Sequence, residues 1–235
     1  MNEVAVEIGN RIRNFRKGKD ITIQELSDKI CKSKATVSKY EKGEIVIDIV
    51  TLYDIATALG VHVEQLLYCP PSQAQIQSDG IKPAFFRNSS QFYSYIYDGR
   101  TNKLIRCVFD VLSKTDESSY KVMLYMNIDS YENYQNCENT YWGYIEHYDV
   151  LTNIILKNQA SPVEQITISV LASFLDSPTK WGLMFGISSR PVMPIAVKML
   201  FSKKQLKEDK DLIEQLRVSK EDIRIMKMYN MFAIM

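Results

Sequence analysis

This 235-residue chain has only two histidines, four cysteines and no long apolar run, and each shortage closes off a class of function. His62 and His147 lie far apart in sequence, so they form neither a histidine cluster for a metal nor an HExxH helix. Cys31, Cys69, Cys107 and Cys137 have no metal-type spacing, and scattered thiols of this kind are usual in reduced, intracellular proteins. No apolar stretch reaches the roughly 20 residues that a membrane helix needs, and the charged N-terminus has no signal-peptide core. A cytoplasmic chain with no membrane partner is therefore expected. Ser188, Ser189 and Ser202 have lysines nearby, but no autoprotease cleavage pattern accompanies them. The chain is expected not to be an enzyme and to carry no cofactor or metal.

Thr22 to Glu41 holds two helical patterns joined by a tight turn. The first opens on a capping box, in which Thr22 accepts from the backbone of Glu25 while the Glu25 side chain reaches back. Ile23, Leu26 and Ile30 then follow a helical period, with small Ser27 where a second helix can approach. Ser33 offers a new N-cap, and Val37 with Tyr40 forms the inner stripe of the second helix. Lys34, Ala35, Ser38, Lys39 and Lys42 are left facing outward. An α-helix fits the DNA major groove, where lysines reach phosphates and guanine acceptors, Ala35 can meet a thymine methyl and Ser38 can donate or accept.

Residues 5–69 resemble the phage repressor/Cro type of helix-turn-helix domain, the XRE family. Ile8 to Arg16 is similar to its first helix, Thr22 to Ile30 to its second, and Ser33 to Gly43 to its recognition helix. Thr51 to Val61 and Glu64 to Leu67 are similar to the fourth and fifth. The resemblance implies an all-α five-helix fold with Arg16 and Glu41 as a structural brace. It implies DNA contacts from Thr22, Gln24, Lys32, Ser33, Lys34, Ala35, Thr36, Ser38, Lys39 and Lys42. Gly43 and Gly60 are expected at left-handed helix ends.

Three departures from the family pattern stand out. Ile23 replaces a phosphate-binding glutamine, a contact that Thr22 or Gln24 can take over. Cys31 occupies the usual glycine of the turn and should adopt a positive φ. Glu44 to Ile47 lacks the usual basic residue and proline, and its apolar run is expected to meet the other domain or a second chain. Residues 1–69 hold ten Lys/Arg and ten Asp/Glu, yet residues 29–42 hold five lysines against one glutamate. A formally neutral domain with a local basic face suits a defined operator better than general coating of nucleic acid.

Residues 70–82, rich in Pro, Gln and Ser, read as a linker to a second domain at 83–235. Ten of the fourteen tyrosines lie between residues 93 and 148, within alternating, β-branched segments. Strands are expected at 91–97, 104–112, 120–128, 141–148, 151–156, 165–173 and 181–188, giving an α+β domain with an antiparallel sheet or barrel and C-terminal helices. Residues 191–201 read equally as strand or helix. Residues 205–218 read as an amphipathic helix burying Leu206, Ile213 and Leu216. A last helix follows Ser219, and its apolar residues require burial in its own domain or against a partner. Tyr93, Tyr95 and Tyr97 share one strand face and, with Tyr125, Trp142 and Tyr144, are the candidate lining of a ligand pocket; cross-strand packing is their plain alternative.

The expected function is a dimeric regulator, a repressor by family analogy, that binds a double-stranded operator. Its C-terminal domain would sense a small-molecule or protein effector, or mediate dimerisation. The alternative is an antitoxin-like or adaptor module that keeps the helix-turn-helix as scaffold.

Overall fold

The computed structural model describes residues 3–67, 83–87, 89–116, 118–161, 163–171, 177–189 and 192–233. Cys69 and the expected 70–82 linker lie outside the described residues. By internal contact the chain divides into two units, Met1–Ser72 and Gln73–Met235.

Local signals set the helices of the first unit: α1 (Glu3–Gly18), α2 (Ile23–Lys29), α3 (Lys34–Glu41), α4 (Ile49–Leu59) and α5 (Val63–Leu67). The capping box of α2 is complete, with Thr22 Oγ1 accepting from Glu25 N at 3.1 Å and Thr22 N donating to Glu25 Oε2 at 2.7 Å. Ser33 caps α3 by accepting from Thr36 N at 3.1 Å, and Asp48 caps α4 by accepting from Thr51 N at 2.8 Å. The Thr51 bonds hold the Asp48 carboxyl below its ordinary pKa. Gly60 ends α4 at φ 59°, and Lys19 Nζ donates to its carbonyl at 3.0 Å, placing a cation at the negative end of the helix. Cys31 does adopt a positive φ, 52°.

Ile12, Phe15, Leu26, Val37, Tyr40, Leu52, Ile55 and Leu66 make one buried core. Gly9 lets α1 and α3 touch backbone to backbone, since a Cβ there would lie 2.3 Å from the Tyr40 carbonyl oxygen. Ile45 and Ile47 pack against this core, and Val46 alone of the run 45–47 is exposed. The expectation that this run turns outward is therefore corrected: alternation along an extended loop sends two of its three side chains inward.

Alternation builds the second unit. β1 (Gln91–Asp98), β2 (Lys103–Lys114), β3 (Ser119–Ile128), β4 (Cys137–His147), β5 (Leu151–Asn158), β6 (Gln165–Leu171), β7 (Thr179–Ser189) and β8 (Val192–Ser202) pair in chain order. Antiparallel pairing of β8 with β1, Leu200 opposite Tyr95, closes the barrel. Of the undecided stretch 191–201, residues 192–201 thus resolve as strand, with Pro194 opposite Ile187, and Pro191 lies outside the described residues.

The inner face carries Phe92, Ile96, Phe109, Leu124, Ile145, Ile154, Ile168 and Phe201. A 3-10 turn, Ala84–Phe86, adds Phe85 and Phe86 to the same core, and Phe86 meets Phe92 edge-on at 5.3 Å. His147 is buried beside Phe86, its Nδ1 bonded to Thr152 Oγ1 at 3.0 Å, so it is a core residue.

α6 (Lys210–Leu216) and α7 (Lys220–Tyr229) complete the unit. α6 starts at the Asp209 cap, five residues later than the sequence pattern suggests, and buries Leu212 with Leu216 while Ile213 is only partly covered. α7 also departs from expectation. Only Ile225 is buried, while Ile223, Met228 and Tyr229, with Met231 and Phe232 beyond the helix, are exposed. Its apolar residues surround the helix, so a single contact with the barrel covers only one side.

Candidate nucleic-acid interface

Two neighbouring caps orient α3. Ser33 fixes its start, and Arg16 of α1 fixes its end by donating from Nε to Glu41 Oε1 at 2.5 Å and from Nη2 to Oε2 at 2.9 Å. Both partners are buried, and Arg16 Nη1 also donates to the Ile21 carbonyl at 2.9 Å. The bond to Glu41 raises the guanidinium pKa further above its already high value. The expected brace is therefore formed.

Among the expected DNA-contacting residues, Thr22, Gln24, Lys32, Ser33, Lys34, Ala35, Lys39 and Lys42 are exposed, and Thr36 and Ser38 are partly so. They divide by the work their polar atoms already do. The Thr22 and Ser33 hydroxyls serve as caps, Ser33 also bonds Thr36 Oγ1 at 2.8 Å, and Gln24 Nε2 donates to Asp28 at 2.8 Å. Lys42 lies 3.6 Å from Glu44 in an exposed pair that is weak in water and can exchange for a phosphate. Lys34, Ala35 and Lys39 form the open outer face of α3. Ile23, at the place of the missing glutamine, packs on the core.

The six aromatic candidates of the second unit lie on the outside of the barrel. Tyr93, Tyr95 and Tyr97 alternate with inward-facing Phe92, Ser94 and Ile96, and pack with Leu200, Leu212 and Leu216 in an outer cluster. The Tyr95 hydroxyl accepts from Leu206 N at 2.8 Å and lies 3.1 Å from the Tyr131 hydroxyl. Tyr131 in turn reaches Glu208 at 3.2 Å, and burial pushes its hydroxyl pKa upward. Tyr97 accepts from Arg217 at 2.8 Å, and Tyr93 donates to Gln91 at 2.9 Å. Tyr125 and Trp142 join a second outer cluster with Val108 and Met123, while Tyr144 is exposed. These side chains fasten the C-terminal segment and the β3–β4 connection to the barrel wall; Tyr97 also borders a cavity at the β1–β2 end of the barrel, which the other five do not line.

Residues 12–66 match the Helix-turn-helix family HTH_3. No curated protein matches the chain. Among solved structures, the restriction-modification controller protein C.AhdI from Aeromonas hydrophila is 26% identical over 26% of this chain and 94% of its own, with a TM-score of 0.26. An HTH_3 family transcriptional regulator from Vibrio cholerae is 15% identical over 85% of this chain and 89% of its own, with a TM-score of 0.27. Hydroxypropylphosphonic acid epoxidase from S. wedmorenis is 13% identical over 86% of this chain and 92% of its own, with a TM-score of 0.30.

The last match corrects the expectation that the chain is not an enzyme, because a likeness running along most of its length is to one. That expectation rested on spacing in sequence, whereas catalytic groups are assembled in space. At such identity and TM-score the likeness transfers neither chemistry nor substrate. Among the described residues, no group of three or more His, Cys, Asp or Glu side chains is placed to hold a metal ion, and no helix is long and apolar enough to cross a membrane. With the capped helix pair, the Arg16–Glu41 ion pair and the family match in agreement, residues 12–66 of this chain form a helix-turn-helix domain of the HTH_3 family.

Proposed function

We propose that the chain is a cytoplasmic transcriptional repressor that binds a defined operator as a homodimer, reading bases with Lys34, Ala35, Ser38 and Lys39 and holding phosphates with Lys32 and Lys42. The observation that carries this reading is the outer face of α3, whose lysines and small side chains are exposed while the helix is fixed from behind by the buried Arg16–Glu41 pair. A rigid helix with an exposed basic face is what groove recognition requires. Dimer formation is supported by Val46, Ile49, Val50 and Tyr53 of the same unit, large apolar side chains that are all more than half exposed. Residues 70–82 serve as the linker, and the barrel domain at 83–235 acts as the input that senses an effector or dimerises.

Selection of bound sequences from a random DNA pool tests the reading. A palindrome with half-sites one helical turn apart, about 34–36 Å, is expected. An interaction module that keeps the helix-turn-helix as scaffold is favoured instead by the exposed apolar residues of α7 and its tail. A pool with no enriched sequence would support that module and contradict the repressor.

A further inference from the structure

The inner face of the barrel is filled at one end and hollow at the other. At the filled end Phe92 stacks on Phe109 at 4.7 Å, with Phe201, Phe85 and Phe86 around them. Towards the end that carries the β1–β2 and β7–β8 connections, the same inward-facing positions enclose a cavity of about 570 Å³. An eight-stranded barrel is wide enough either to be packed by its own side chains or to hold one small ligand, and this one does each in a different half. A volume of this size lies within the range of small-molecule sites.

Sequence makes the hollow. Inward positions that hold phenylalanine at the filled end hold Ile96 and Ile105 here, and at Gly186 the cross-strand Ile166 takes the place of a side chain, since a Cβ there would lie 2.9 Å from Ile166 Cγ2. Met126 and Met184 line the walls, flexible residues that adapt to an occupant. The lining mixes these apolar residues with polar ones: Asn127 and Asn139 also face the cavity, and Tyr141 donates to Glu164 Oε2 at 3.4 Å while Asn158 donates to the same oxygen at 3.0 Å. At the rim Asp98 and Arg100 neutralise each other at 2.9 Å, and Arg100 also bonds Ser188.

From this arrangement we infer that the open half of the barrel binds one uncharged, largely apolar organic molecule carrying a hydroxyl or amine group, which donates to Glu164 beside Tyr141. An anionic head group is disfavoured at this polar spot, because the Glu164 carboxylate would face it; the cations of the lining, Arg100 paired with Asp98 and Lys103 at the start of β2, stand at the rim. The inference rests on the reading of this domain as a ligand-sensing input. It places the ligand inside the barrel, where Tyr97 alone of the six aromatic candidates borders the cavity.

The test is a titration of the full chain, labelled with 13C-methyl methionine, with N-phenyl-1-naphthylamine, a neutral apolar probe that bears one N–H donor. Saturable one-to-one binding is expected, with the methyl signals of the cavity residues Met126, Met184 and Met193 shifting and those of Met226, Met228 and Met231 unmoved. Met184→Trp, which fills the cavity, should weaken binding about tenfold or more, with its fold checked by far-UV circular dichroism. No binding would overturn the inference. So would shifts confined to the C-terminal methionines, which would assign the probe to the exposed residues of α7, or unchanged affinity in a folded Met184→Trp. The wild-type titration stands alone if that variant fails to fold. No DNA is involved, so failure here is distinguishable from failure of the regulatory reading.

Discussion

In the helix-turn-helix unit the residues with recognition chemistry are exposed and the charged pair that supports them is buried. In the barrel unit the aromatic residues with the same apparent promise are consumed by the fold. Lys34 and Lys39 stand in solvent on a helix held by Arg16 and Glu41, whereas Tyr95 and Tyr97 spend their hydroxyls on Leu206, Arg217 and Asn102. Residue type alone marks both groups as candidates. Whether the polar atom is already engaged is what separates a reading surface from a structural clasp.

The largest tests of that contrast place one lesion in each unit. Glu41→Ala leaves the Arg16 guanidinium buried without its carboxylate, and Phe109→Ala empties the filled end of the barrel; each should cost about 3–5 kcal/mol. Both tryptophans, Trp142 and Trp181, lie in the barrel strands β4 and β7, so their fluorescence reports that unit while the 222 nm circular dichroism signal is weighted to the helices. Glu41→Ala should lower the urea midpoint of the helical signal and leave the fluorescence midpoint in place, and Phe109→Ala should do the reverse. A common shift of both probes in either variant would break the two-unit account.

Within the barrel, Tyr95→Phe removes the acceptor for Leu206 N and should cost about 1–3 kcal/mol in urea unfolding, because a part-buried donor is stranded. Tyr144→Phe, at an exposed position, should stay within about 0.5 kcal/mol. Equal costs would contradict the clasp. A modest effect sharpens the other side: Ser33→Ala should lower stability by about 1 kcal/mol through loss of the α3 cap. The helical urea transition should record it, and no change would mean that Ser33 is not needed as a cap.

The same contrast governs how much was legible in the sequence. The helix ends could be read at Thr22, Ser33 and Gly60, because capping acts over three or four residues and leaves its signature in neighbouring letters. The Arg16–Glu41 pairing came from family resemblance and took its observed geometry. In the barrel, strand positions were legible from alternation, but the inward face was not. Phe92, Ser94 and Ile96 alternate with Tyr93, Tyr95 and Tyr97, and either set is bulky enough to pass for a core. The choice is made by residues far away in sequence, such as Phe201 inside and Leu212 outside. The cavity is illegible in the sequence for the same reason: Gly182 and Gly186 on the inward side of β7 admit Phe201 and Ile166, which are distant in sequence. The exposed apolar side chains of α7 were likewise hidden, since an all-round apolar pattern says that a helix needs cover without saying how much of it is supplied.

The central claim is that the outer face of α3 reads DNA. Its most direct test is the affinity of the full chain for its selected operator as a function of salt, for wild type and Lys39→Ala. The account predicts a steep fall of log K with log salt in the wild type. In Lys39→Ala it predicts weaker binding and a salt slope smaller by about one for each Lys39 that contacts a phosphate, or relaxed base preference if Lys39 contacts a base. Wild-type affinity, salt slope and sequence preference all retained in Lys39→Ala would contradict it.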